Sequence, residues 1–169
     1  MVLHEVSHEW FGNSVSPERW ADLWLNEGHA VFYEDQWIEA KHLSTQTESM
    51  RHSYEELGNK LLANGPIAAP DPATWPGDKG PLRPYSSAAY QGGALTLFAL
   101  QQLIGDKTFN AIERAWVRRH NNSTASTEDF IALASQVAHR DLKPFLSSWL
   151  YSTRLPAMPK HPDWKAGPA

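Results

Sequence analysis

The sequence contains no cysteine, so neither a disulfide framework nor a thiolate metal site can form, and the redox compartment leaves no trace in it. It also lacks a long apolar run. The longest, Ala94-Leu95-Thr96-Leu97-Phe98-Ala99-Leu100, falls far short of the roughly 20 residues of a membrane span. Positive charge is not in excess: fifteen Lys and Arg against nineteen Asp and Glu leave a formal charge of −4, which argues against nucleic acid as the main partner, because phosphate binding favours a basic face. No signal-peptide pattern precedes His4, but a start so close to that residue leads us to expect that the native N-terminus is missing; separately, the chain is expected to be cytoplasmic, with no membrane contact. Internal repeats and strand-like alternation are lacking too. What is there is 169 residues, 41% hydrophobic and 20% charged, the composition of one domain with its own core rather than of a disordered chain.

Helical signals fill most of the length. A first helix is predicted from Val2 to Phe11, stopped by Gly12-Asn13, and a second from about Trp20 to Ala40. Between them Ser16-Pro17-Glu18 can open a turn or a helix. Gly28 lies inside the second helix, where glycine costs about 1 kcal/mol relative to Ala, so it is expected to permit a close approach to the first helix. Thr45 and Glu48 form a capping box for a third helix over Ser44 to Asn64. Pro66, Pro70, Pro72, Pro76, Pro81 and Pro84 then force a long irregular loop, which either crosses near the mouth of a site or is a surface excursion. Helix resumes from Ser87 to Ile104 and ends at Gly105. Asp106 is expected to cap a helix to His120, Ser126 to Asp129 to open another to His139, and Asp141 to cap the last, to Thr153. The predicted fold class is all-α, a bundle of about seven helices over residues 1–156, with a proline-rich tail, residues 157–169, expected to fray.

The chemistry gathers at the start. In His4-Glu5-Val6-Ser7-His8 two histidines four apart lie on one helical face, about 6 Å apart along the axis, so both imidazoles can hold one metal ion with Glu5 beside them. A catalytic zinc site needs a third protein ligand and an open position, and Glu27 stands in Leu23-Trp24-Leu25-Asn26-Glu27-Gly28 with eighteen residues between it and His8. The metzincin pattern would need Gly three residues after His8 and His six after it. Phe11 and Ser14 occupy those places and exclude it.

Three stretches, His4-Glu5-Val6-Ser7-His8-Glu9-Trp10-Phe11-Gly12-Asn13, Trp20-Ala21-Asp22-Leu23-Trp24-Leu25-Asn26-Glu27-Gly28 and Tyr90-Gln91-Gly92-Gly93-Ala94, resemble the membrane alanyl aminopeptidase family of gluzincin zinc metallopeptidases, which includes leukotriene A4 hydrolase. The resemblance implies the α-helical half of a thermolysin-like catalytic domain, from Met1 to about residue 156. It implies one Zn²⁺ held by His4, His8 and Glu27, Glu5 as general base, and Tyr90 as a donor to the oxyanion of the tetrahedral intermediate. In the third stretch Gly92 stands where the family usually has lysine, and Tyr85 is the runner-up to Tyr90. The family's β-rich domain, and its Gly-x-Met-Glu-Asn segment that holds the substrate's α-amine, are not in these residues.

The function expected from this resemblance is that of a zinc aminopeptidase subdomain acting on peptide N-termini, weakly active or inactive in isolation. The alternative is a non-catalytic zinc-binding helical module that serves as a structural or interaction unit. The expected partners of the chain are a peptide substrate's N-terminus and, over the apolar face of the first helix, either a second copy or the missing half of the domain. Asn26 is placed either to hydrogen-bond a ligating histidine or to sit as a helix-surface amide. His29, His42, His52, His120, His139 and His161 have no partner at metal-ligand spacing and are assigned as surface or satisfied residues; Trp10, Trp20, Trp24 and Trp37 are assigned to core packing.

Overall fold

The computed structural model describes residues 2–58, 62, 65–68 and 87–168. Among these residues there are seven α-helices: α1 (Val2–Ser7), α2 (Trp24–Ala40), α3 (Gln46–His52), α4 (Gly93–Ile104), α5 (Asp106–Arg119), α6 (Thr127–Ala138) and α7 (Lys143–Leu150). The all-α reading holds, with one addition that the sequence did not announce. Two three-residue strands, β1 (Val15–Pro17) and β2 (Ser123–Ala125), pair in parallel with Val15 opposite Ser123 and Pro17 opposite Ala125. A strand this short has no alternation to read, and it forms because the turn after α1 runs beside the link between α5 and α6. No helix among the described residues is long and apolar enough to cross a membrane.

The core is built around α4. Every residue from Gly93 to Gln101 is buried, as expected of a helix that is apolar on all sides. The flanking helices show one apolar stripe each. On α5 the buried positions are Phe109, Ile112, Glu113 and Trp116, on α6 they include Thr127, Phe130, Ile131 and Ala134, and on α7 they are Leu146, Trp149 and Leu150. The spacings of three and four close one face per helix. Trp24, Trp116 and Trp149 are fully enclosed at the centre.

Helix ends follow local chemistry. Thr45 with Glu48, and Ser126 with Asp129, each complete a capping box. Asp106 is the first residue of α5 rather than its cap: Gly105 takes the cap position with φ +81°, and the Asp106 carboxylate accepts from Gln101 Nε2 at 3.1 Å. The first helix is shorter than predicted, ending at Ser7. Past it the chain keeps coiling through five-residue steps, with Asn13 N donating to His8 O (2.8 Å) and Val15 N to Trp10 O (3.1 Å). A short 3₁₀ turn, Trp20–Asp22, precedes α2, where helix had been expected to begin at Trp20. There Asp22 accepts from Thr127 N (3.0 Å) and Thr127 Oγ1 (2.7 Å), so a buried carboxylate closes the N-terminus of α6.

Three expectations are corrected. Gly28 does permit a close approach, but to α4 and not to α1: a Cβ there would lie 2.8 Å from Gly93 Cα. The tail after Pro156 is packed rather than frayed. Met158 and Trp164 are buried, Tyr54 Oη donates to Pro156 O at 2.8 Å, and the Trp164 ring stacks on Phe98. Of the four tryptophans assigned to the core only Trp24 lies there. Trp10, Trp20 and Trp37 are 51%, 55% and 42% exposed, because each falls on the outward side of its turn or helix. The C-terminal part of the predicted third helix, most of the proline-rich loop, and Tyr85 lie outside the described residues.

Candidate metal centre

Helix α1 lies against the first turns of α2, and that contact carries the site. His4 and His8, one turn apart, both turn their Nε2 atoms towards a single oxygen of Glu27. His4 Nε2 is 3.2 Å from Glu27 Oε2 and His8 Nε2 is 3.4 Å from it. The two imidazoles meet edge to face, with centroids 4.9 Å apart. One donor atom from each of the three residues falls within 4.8 Å of the others, and among the described residues no second group of three such side chains gathers.

This geometry fits a divalent ion. Ligand atoms about 2.0–2.1 Å from zinc at the corners of a tetrahedron stand about 3.3–3.4 Å apart, close to the two separations seen here. The donor set, two imidazoles and a carboxylate, is one that zinc accepts with a fourth position open. Tautomers agree. Phe11 O lies 3.0 Å from His8 Nδ1, and since a carbonyl can only accept, the proton sits on Nδ1 and leaves the Nε2 lone pair pointing at Glu27. The Nδ1 of His4 faces Glu34 Oε2 at 3.7 Å, a second carboxylate on the same side of α2.

Electrostatics follows from the crowding. In the protonated ring His8 Nε2–H donates to Glu27, and this hydrogen bond is the largest influence on His8 and holds its pKa above the ordinary histidine value, against the opposing effect of burial. For Glu27 burial alone pushes the pKa up, but hydrogen bonds and charge from His8 and His4 outweigh it and leave the carboxyl below its usual range. An ion at the centre would therefore displace a proton shared among these groups.

Around the three residues the structure places the other candidates. Glu5 is exposed and lines a cavity of about 590 Å³ together with His8, Glu9, Trp20 and Glu27. Tyr90 stands in a π-helical turn, Ala88–Gly92, with its ring nearly parallel to that of His4 (centroids 5.9 Å apart, 4° between planes). Gly92 carries no side chain and Ile67 fills the space beside it: a Cβ on Gly92 would lie 2.8 Å from Ile67 Cγ1. Asn26 lines the cavity, but Phe11 O engages His8 Nδ1, and the buried Asn26 Oδ1 has no hydrogen-bond partner among the described residues.

Sequence reasoning missed three features. Gly12, with φ +143°, lets the chain turn so tightly that a Cβ would sit 3.2 Å from His8 O and 3.4 Å from His8 Nδ1, and this turn brings Phe11 O to the ring. Glu34 was legible in principle, since it follows Glu27 by two helical turns on one face. His29 is satisfied, as assigned, yet its partner Glu113 lies 84 residues away, a separation that no local pattern signals.

A sequence model of the peptidase family M1 domain matches residues 1–149. Glutamyl aminopeptidase of Bitis rhinoceros is 28% identical over 166 residues, 94% of this chain and 16% of that protein. Aminopeptidase N of Streptomyces lividans is 28% identical over 155 residues, 88% of this chain and 18% of that protein. This chain thus spans about a sixth of the curated relatives it matches. Among solved structures, the M1 zinc metallopeptidase from Deinococcus radiodurans superimposes with a TM-score of 0.77 at 27% identity, covering 93% of this chain and 34% of that one. Yeast LTA4 hydrolase shares the fold, with a TM-score of 0.74 at 24% identity over 92% of this chain and 26% of that one.

Proposed function

Because this chain belongs to peptidase family M1, we propose that it is the metal-bearing helical part of a zinc aminopeptidase, with His4, His8 and Glu27 holding one Zn²⁺ and peptide N-termini as substrates. The observation that carries this reading is the convergence of both Nε2 atoms on one oxygen of Glu27, with the His8 proton turned away to Phe11 O. When bound, zinc supplies Lewis-acid polarisation of the scissile carbonyl and lowers the pKa of an attacking water. Glu5 is not part of the ligand set, and its exposed carboxylate borders the same cavity, so it is free to take the water's proton and deliver it to the leaving amine nitrogen. Tyr90, beside His4, offers its hydroxyl to the oxygen on which negative charge develops. A purely structural metal site needs no general base, and Glu5 therefore favours catalysis over a passive module.

The test separates ligand from base. After zinc loading and dialysis, the parent is expected to retain one zinc per chain by elemental analysis, and His8→Ala or Glu27→Ala to retain little. Near-unity zinc in either variant would sink the assignment. Glu5→Gln should keep the metal and abolish whatever hydrolysis of an amino-acid arylamide the parent shows, since the amide preserves shape and loses basicity. Parental turnover in Glu5→Gln would remove Glu5 from the role of base.

A further inference from the structure

The His8 ring owes its orientation to a main-chain carbonyl that stands outside any helix. Phe11 O accepts from His8 Nδ1–H at 3.0 Å, and Phe11 lies between the end of α1 and the turn at Gly12. What holds Phe11 is therefore part of what holds His8. The Phe11 ring is buried and stacks on two rings of α2: His29, with centroids 4.2 Å apart and 9° between planes, and Tyr33, at 5.2 Å and 16°. These two residues are four apart and share one helical face.

Both are tied to the same carboxylate on α5. Tyr33 Oη donates to Glu113 Oε2 at 2.9 Å, and His29 Nε2 lies 3.3 Å from that oxygen. At its other end His29 Nδ1–H donates to Leu25 O at 2.6 Å, so the imidazole is held at both nitrogens and cannot turn. His29 is fully buried and Glu113 nearly so. A buried imidazole, carboxylate and phenol carry a desolvation cost that an apolar filling of the same space would avoid. Such a network fixes ring planes and positions, which an apolar contact does not.

We infer that His29, Tyr33 and Glu113 are positioning residues that act through Phe11 to fix His8 as its Nδ1–H tautomer, with the unprotonated Nε2 facing Glu27 and able to accept a divalent cation. This rests on the zinc reading above for its purpose but not for its geometry. The chain of contacts is continuous from α5 through α2 to the end of α1, and each link is a hydrogen bond or a ring stack. None of the three residues touches the cation position itself, so their effect passes only through the Phe11 carbonyl.

The experiment reads the tautomer directly. In the zinc-free protein at pH 8.5, long-range nitrogen–proton NMR of the His8 ring is expected to show a single Nδ1–H form. Phe11→Ala and His29→Phe should give a mixture of tautomers and weaken zinc, measured by chelator competition, by about tenfold or more. Phe11→Tyr, which keeps the ring stack, should retain both parental properties, and Tyr33→Phe, which keeps the stack but removes the hydroxyl, should fall between. If Phe11→Ala does not fold, His29→Phe and Tyr33→Phe carry the test, because both preserve ring packing. A pure Nδ1–H tautomer and zinc affinity within about twofold of the parent in folded His29→Phe and Tyr33→Phe would overturn the inference. The zinc-free spectra decide the positioning role alone: a parent that bound no zinc while its tautomer responded as expected would refute the metal reading and leave this one standing.

Discussion

The contact between Gly28 and Gly93 offers a sharp test of the packing beneath the candidate metal centre. A Cβ on Gly28 would lie 2.8 Å from both Gly93 Cα and Gly93 C and 3.1 Å from Ala94 N, all backbone atoms that no side-chain rotation can clear. Carbon atoms in comfortable contact stand about 3.5–4.0 Å apart, so Gly28→Ala must part α2 and α4 locally by about 0.7 Å or more. Overpacking of this kind costs about 1–3 kcal/mol, while replacing a mid-helix glycine by alanine returns about 1 kcal/mol of helix propensity. The first effect wins. A net loss of up to about 2 kcal/mol lowers Tm by up to about 8 °C in a chain of this size. Gly93→Ala meets the mirror-image obstacle, with Gly28 Cα at 2.9 Å and Trp24 O at 3.2 Å. The double variant should cost less than the sum of the two, because the first methyl has already separated the helices. Urea unfolding followed by circular dichroism measures all three. A Gly28→Ala protein more stable than the parent by about 1 kcal/mol, as at an open helical site, would refute the close approach.

Three further outcomes are expected. Burial, with the neighbouring charge of Glu34 second, pushes the Asp35 carboxyl up to about 6 from 3.8, so the folded protein binds a proton between those values that the unfolded chain does not. The stability this gives is full below pH 3.8 and lost as pH rises through about 6, so Asp35→Asn should stabilise at pH 7 by about 1–2 kcal/mol, discounted for partial exposure, and by nearly nothing at pH 3.5; equal effects at both would contradict it. Asp22→Ala removes the acceptor of Thr127 N–H and Oγ1–H and should cost about 3 kcal/mol in chemical denaturation, and a loss below about 1 kcal/mol would show that water replaces it. Thr45→Ala should lose about 1 kcal/mol with its capping box, an effect absent in Thr45→Ser if the hydroxyl is the cause.

Much of the fold could be read from local signals, and where it could not the reason is physical. The apolar run at 94–100, the stop at Gly105 and the capping residues Thr45 and Ser126 are nearest-neighbour information, and they located helix ends to within a few residues. The tail after Pro156 looked unstructured because proline forbids helix. It packs nonetheless, since Trp164 and Met158 need only irregular backbone to reach the core. Trp10, Trp20 and Trp37 were assigned inward because they fall on or beside the two helices that carry the motifs, whereas exposure is decided by which side of a turn or helix faces a neighbour.

The sequence by itself determined the candidate ligands. Two histidines four apart on a helix share a face whatever surrounds them, and the carboxylate of Glu27, as a third donor, completes a set that zinc chemistry recognises. How those candidate ligands are held depends on long-range packing. That Gly28 faces Gly93 instead of α1, and that Glu113 reaches across from α5 to His29 and Tyr33, are consequences of contacts between residues tens of positions apart. Helical periodicity fixes which residues share a face, because it arises from backbone geometry over a few residues. Which faces meet depends on the packing of the whole core, and no local pattern encodes it.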